Sequence, residues 1–189
     1  QYNLPLYLSV LEGLLLQTAK ALQQLAEQES PQPPQVERDG SRDLNSLIEQ
    51  ELLVKGCSLF EKLDRAALQQ LLISAQIITL EPGQSLYEQG EPSQHLYILG
   101  SGDITLHSDT TARLYLERGA SFGKYSYLGA GGDLPTSART EHGAVVLQIE
   151  GGSIDSMIWT SREQIEMTVG YLSSERQALS PKLQEFTWF

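Results

Sequence analysis

From Ala75 onward, glycines cut the sequence into short apolar or alternating runs, and no other feature limits the fold so sharply. Gln76–Leu80 runs into Pro82-Gly83, Ser85–Glu88 into Gly90, and His95–Leu99 into Gly100-Ser101-Gly102. Ile104–His107 and Arg113–Glu117 lead to Gly119; after a glycine-rich loop come Ala144–Glu150 and Ser156–Trp159. Runs this short, bounded by turn residues, read as strands rather than helices. Many such strands in succession hide their edges by closing on one another. The expected fold is therefore mainly β, an antiparallel jelly-roll barrel with flanking α-helices.

The flanks differ in period. Residues 1–29 read as an N-terminal amphipathic helix, in which Leu4, Leu8, Leu11, Leu15, Leu22 and Leu25 fall on three- and four-residue steps with Thr18 in the gap. That is a heptad seam, suited to packing on its own domain, to a homodimer, or to a protein partner. Residues 30–42 read as a linker, because Pro31, Pro33, Pro34 and Gly40 stand among polar residues that cannot form a core. Residues 43–189 read as one domain. Asp43 is the expected cap of a first helix with Leu44, Leu47, Ile48 and Leu52 inward, and Asp64 the cap of a second with Leu68, Leu71 and Leu72 inward. The tail from Ser161 reads as helical again and ends on Phe186, Trp188 and Phe189.

Composition excludes several classes. The 189 residues carry 13 Lys+Arg against 24 Asp+Glu, a net charge of −11, which opposes binding to nucleic acid or anionic membranes. The single cysteine, Cys57, allows no internal disulfide and reads as a packing residue. The apolar stretch Leu4–Leu16 is shorter than the roughly 20 residues that span a bilayer. It also lacks the flanks of a signal peptide. The sequence opens at Gln1 without an initiator Met, so the chain is expected to be a fragment or a processed product. It is expected to be cytoplasmic, with no membrane insertion of its own even if the parent protein is membrane-bound.

The segment Gly83-Gln-Ser-Leu86-Tyr-Glu-Gln-Gly90-Glu91, followed by Leu96-Tyr97-Ile98-Leu99-Gly-Ser-Gly102-Asp-Ile104, has a distinctive glycine and aliphatic spacing. With Leu86, Tyr97 and Leu99 facing the core, and with the helix pair before it, the pattern resembles the cyclic nucleotide-binding domain family over about residues 57–172. The resemblance implies a regulatory domain with cyclic AMP or cyclic GMP as its ligand, held in a cassette. The cassette reads Phe-Gly-Glu, then a loop, then Pro-Arg before small residues. Helix N–H groups and the Arg meet the phosphate, and the Glu accepts the ribose hydroxyl. Here the cassette reads Phe122-Gly123-Lys124-Tyr125-Ser126, and its Glu position is Lys124, which has donors but no acceptor. The Arg position is Thr136 in one register; a shifted register offers Arg139, followed by Thr140. A degenerate nucleotide site is the expectation, with Gly123, Lys124, Ser126, Arg139 and Thr140 as the ligand-binding residues if a nucleotide does bind. Losing the Glu contact alone weakens binding by about ten- to a hundredfold.

Other constellations do not assemble into chemistry. His95, His107 and His142 lack the His-x-His spacing of a cupin metal site and read as strand-end or surface residues. Asp103 and Glu117 have no acid–base partner in the sequence, and Ser126 lies in no nucleophile elbow. No enzyme is expected, and no metal. About 28 residues after Ser161 are too few for a DNA-reading helix-turn-helix domain. The stretch Arg42–Leu53 is similar to the helix preceding such a domain in some sulfate-permease-like transporters, which implies a cytoplasmic regulatory module of an anion transporter as one host.

Overall fold

The computed structural model describes residues 44, 46–57, 59–61, 63–92, 95–107, 113–123, 133–158, 166, 168 and 169. The expected helix at 1–29 and the linker at 30–42 lie outside the described residues, as do Lys124, Ser126 and most of the tail.

Two helices lead into the sheets: α1, Leu47–Gly56, and α2, Arg65–Ile73. The α2 cap is as expected, since Asp64 Oδ1 accepts the Ala67 N–H at 2.7 Å, and Leu68, Leu71 and Leu72 are buried. At α1 the expectation is corrected. Ser46 rather than Asp43 is the cap, its Oγ accepting the Glu49 N–H at 3.2 Å. Of the expected inner face only Leu44 is buried: Leu47 and Ile48 are 71 % exposed and Leu52 65 %. The buried stripe is Leu53, Val54 and Cys57, with Gln50 half-buried one turn earlier. These residues fall on one side at helical spacing. Gln50 is tolerated there because its amide donates to the Leu44 carbonyl at 2.8 Å.

Eight strands follow. One sheet has the order β1 (Ala75–Leu80), β8 (Ala144–Glu150), β3 (His95–Gly102), β6 (Ser121–Phe122). The other has the order β2 (Ser85–Tyr87), β7 (Ser137–Arg139), β4 (Ile104–His107), β5 (Arg113–Leu116). All pairings are antiparallel. The mainly β, jelly-roll fold is as expected. Strands β6 and β7 lie in what reads as loop in the sequence. They are too short to show a period, and pairing with β3, β2 and β4 makes them strands. A strand expected at Ser156–Trp159 is instead part of helix α3, Gly151–Ile158. Gly151-Gly152 ends β8, and the chain then coils so that Ile154 reaches the helical core. An apolar run this short fits either period.

The core has two parts. Phe60, Leu68, Leu96, Ile98, Leu147, Ile149 and Ile154 join the helices to the outer side of the β8–β3 sheet, and Cys57 packs there too. Leu80, Tyr87, Tyr97, Leu99, Leu106, Phe122, Ala138 and Val146 fill the space between the sheets, with Leu86 partly buried against them. Each strand contributes alternate residues to the two sides, which is the consequence of the two-residue pleat. Gly102, between the last turn of β3 and β4, has φ +82° and lies so close to the Gly143 carbonyl that no side chain fits.

Candidate functional site

The cassette begins at the end of β6. Gly123 is buried with φ +75°, and a Cβ there would stand 2.6 Å from a ring carbon of Tyr97. Tyr97 in turn stacks on Phe122 at 5.5 Å between ring centroids and lies 5.6 Å from Tyr87. Gly123 is thus held against a cluster of three aromatic rings, Tyr87, Tyr97 and Phe122.

At the other end of the cassette loop, Leu134 pairs with the β2–β3 turn, exchanging N–H···O bonds with Gly90 and Glu91 at 2.9 and 3.0 Å. Thr136 follows and is 4 % exposed. Along β7, Ala138 is buried between the sheets, so Ser137 and Arg139 leave the strand on the opposite side. Arg139 is exposed, and its Nε donates to the Gly83 carbonyl at 3.0 Å. Thr140 is fully buried, and its Oγ1 accepts the Gly143 N–H at 2.8 Å.

Gly123 sits apart, just after β6 of the other sheet, whereas Arg139 and Thr140 come together. They line a cleft of about 370 Å³ with Gly83, Thr105, His107 and Glu141. Thr105 stands directly opposite Arg139 across the β4–β7 ladder, and His107 opposite Ser137. Beside this row, the Ser85 and Ser137 hydroxyls hold the Glu88 carboxyl below the usual carboxylate range, with His107 and Arg139 adding to the effect. Thr105, Glu141 and Glu88 are not singled out by the sequence, and His107 is read there only as a strand-end or surface residue. The available signal was alternation: Ile104 and Leu106 point inward, so Thr105 and His107 must share the outer face.

His142 and Asp103 form a second polar contact, with Nδ1 3.2 Å from Oδ1. The Asp103 carboxylate also accepts the Glu141 and His142 backbone N–H groups, so it holds a turn. Among the described residues, no three His, Cys, Asp or Glu side chains gather as a metal site. No helix among them is long and apolar enough to cross a membrane.

Two four-stranded antiparallel sheets, with a helix pair before them and a helix after β8, define a jelly-roll β-domain. Residues 77–161 match the family model of the cyclic nucleotide-binding domain. No curated relative matches the chain. Among solved structures, the sensor domain of the transcriptional regulator DNR from Pseudomonas aeruginosa is similar. It has a TM-score of 0.59 at 19 % identity over 66 % of this chain and 91 % of that one. The Catabolite Activator Protein of Thermus thermophilus gives 0.55 at 22 % identity, over 68 % of this chain and 62 % of that one. The regulatory domain of Toxoplasma gondii PKA, crystallised with cAMP, gives 0.55 at 18 %, over 61 % of this chain and 46 % of that one. The match thus spans less than two thirds of the Thermus and Toxoplasma chains, and likeness at these identities is likeness of fold.

Proposed function

We propose that the chain is a non-enzymatic regulatory or interaction module of a larger protein, built on the cyclic nucleotide-binding fold with a degenerate nucleotide site. One observation carries this reading. In the unshifted register the cassette's Arg position is Thr136, buried and uncharged, while Arg139, the candidate of the shifted register, leaves β7 on the side away from the barrel interior and spends its Nε on Gly83. The loss of the cassette Glu to Lys124 adds to it. With neither anchor, a cyclic phosphate between the sheets lacks its charge-assisted partner. The module then works through contacts with other proteins, the Leu4–Leu25 seam being its candidate surface for a partner or a second copy. A cytoplasmic post on an anion transporter is one setting for it, resting on the Arg42–Leu53 similarity.

A functional sensor of cyclic AMP or cyclic GMP is the second reading, favoured by the family match itself. Titration calorimetry with both nucleotides separates the two. The expected result is no heat up to millimolar ligand, with binding gained when Lys124→Glu and Thr136→Arg are combined. Micromolar binding by the unaltered chain overturns the degenerate site, and its loss in Arg139→Ala assigns Arg139 to the phosphate.

A further inference from the structure

Helix α1 is apolar on two sides. Leu53, Val54 and Cys57 face the domain core, while Leu47, Ile48 and Leu52 stand exposed on the other side. A surface helix keeps one apolar face and one polar face; a helix that is apolar all round is covered all round. Further along the exposed side, Lys55 pairs with Glu51 at 3.2 Å, so the bare apolar surface is confined to the first two turns. That end of α1 is also where the N-terminal segment attaches. Leu44, three residues before α1, is buried over Gly100 of β3, where an added Cβ would collide with it. The chain leaving the linker at residues 30–42 is therefore pinned to the barrel beside the bare face.

Size and position select the occupant. Three side chains fall well short of the roughly 800 Å² per partner that a standard interface between separate molecules buries. A tethered segment needs less surface, because its effective concentration is in the millimolar range. Such a segment precedes α1 in the chain: Leu4–Leu25, outside the described residues, reads as a helix with a leucine seam. The thirteen residues of linker span about 40 Å in the extended form that prolines favour, and α1 is about 15 Å long. The segment can therefore turn back on α1 with chain to spare. As a helix the seam is about 30 Å long, twice the length of α1. The bare face can take only the part nearest the linker, Leu22 and Leu25.

We propose that the linker-proximal end of the N-terminal helix folds back within the same chain, laying Leu22 and Leu25 on Leu47, Ile48 and Leu52 of α1. The proposal rests on the seam invoked under the proposed function and divides it: Leu4, Leu8, Leu11 and Leu15 are left for a partner or a second copy. The test is disulfide cross-linking of the full chain in a Cys57→Ala background, with Ile48→Cys combined in turn with Leu22→Cys, Leu25→Cys or Leu8→Cys. The Leu22 and Leu25 pairs are expected to close at least tenfold faster than the Leu8 pair and to run as monomers on a non-reducing gel. Equal rates for all three report chance collision along a tether and overturn the proposal. Links that run as dimers also overturn it, giving the face to a second copy and leaving the interaction reading intact. Amide hydrogen exchange on the chain without added cysteines guards against a fold defect in the cysteine variants. Leu47→Ser with Ile48→Ser, both at exposed positions, should speed exchange at residues 19–26 about tenfold and leave β3 and β8 unchanged. Unchanged exchange at residues 19–26 overturns the proposal. Calorimetry with cyclic nucleotides reads the nucleotide site alone, so its outcome is separate from this one. A helix held by so few side chains detaches in less urea than the barrel needs to unfold, so the unfolding midpoint of the domain does not move with it.

Discussion

Asp103 and His142 tie the β3–β4 junction to the turn before β8. Asp103 Oδ1 accepts the His142 backbone N–H at 3.0 Å, and Oδ2 accepts that of Glu141 at 2.8 Å. A carboxylate mostly shielded from water and serving two backbone donors is a strong local fastener. Asp103→Ala should lower stability by about 3 kcal/mol, read from the urea midpoint, because both N–H groups lose a charged acceptor. Asp103→Asn should fall between the two, since one carbonyl oxygen remains. A loss in Asp103→Ala no larger than that of a surface substitution would show that water replaces the carboxylate.

Glycines with similar backbone angles should respond differently to alanine. Gly90 has φ +84° with nothing within 4 Å of an added Cβ, whereas Gly102 has φ +82° and backbone of Gly143 and Ala144 in the way. Gly90→Ala should cost about 1–2 kcal/mol, the strain of the left-handed region alone. Gly102→Ala should cost clearly more, because the β3–β4 junction must move away from residue 143. Thermal unfolding of the two variants side by side checks this.

Glu88 should contribute to stability in a pH-dependent way. The Ser85 and Ser137 hydroxyls, then His107 and Arg139, hold its folded-state pKa below the unfolded value of about 4.3. The folded chain therefore binds fewer protons in that window, and the contribution is present above the unfolded value and lost as pH falls through the folded one. Glu88→Gln should accordingly be less stable than the natural chain at neutral pH, with the gap closing as pH drops below about 4. Urea unfolding across pH measures it; a gap that is constant with pH contradicts the assignment.

The two faces of α1 should separate cleanly. Leu52→Ala should change stability by no more than about 0.5 kcal/mol, as at other exposed positions. Leu53→Ala, one residue on and 6 % exposed, should cost about 2–5 kcal/mol through lost burial and a cavity. Equal losses would mean that Leu52 is held as firmly as the core.

What could be read from the residues alone was local. The turns at Gly83, Gly90, Gly102 and Gly119 all have positive φ, and their spacing already divides the barrel into strands. The Asp64 cap needed only its own neighbours. The residue types at Lys124 and Thr136, on which the proposed degenerate site rests, are likewise visible in the sequence. Where the reading failed, the deciding contact lay far along the chain. The inner face of α1 follows Gln50, whose amide is satisfied by Leu44 once that residue is packed against β3. Strand β7 exists because β2 and β4 flank it, and the α3 segment coils because the helical core offers a place for Ile154. The side on which Arg139 emerges, and its meeting with Thr105 and Glu141, follow from ladder register. Register is set by which apolar residues the two sheets bury between them, and a single shift would turn Arg139 inward and Ala138 out.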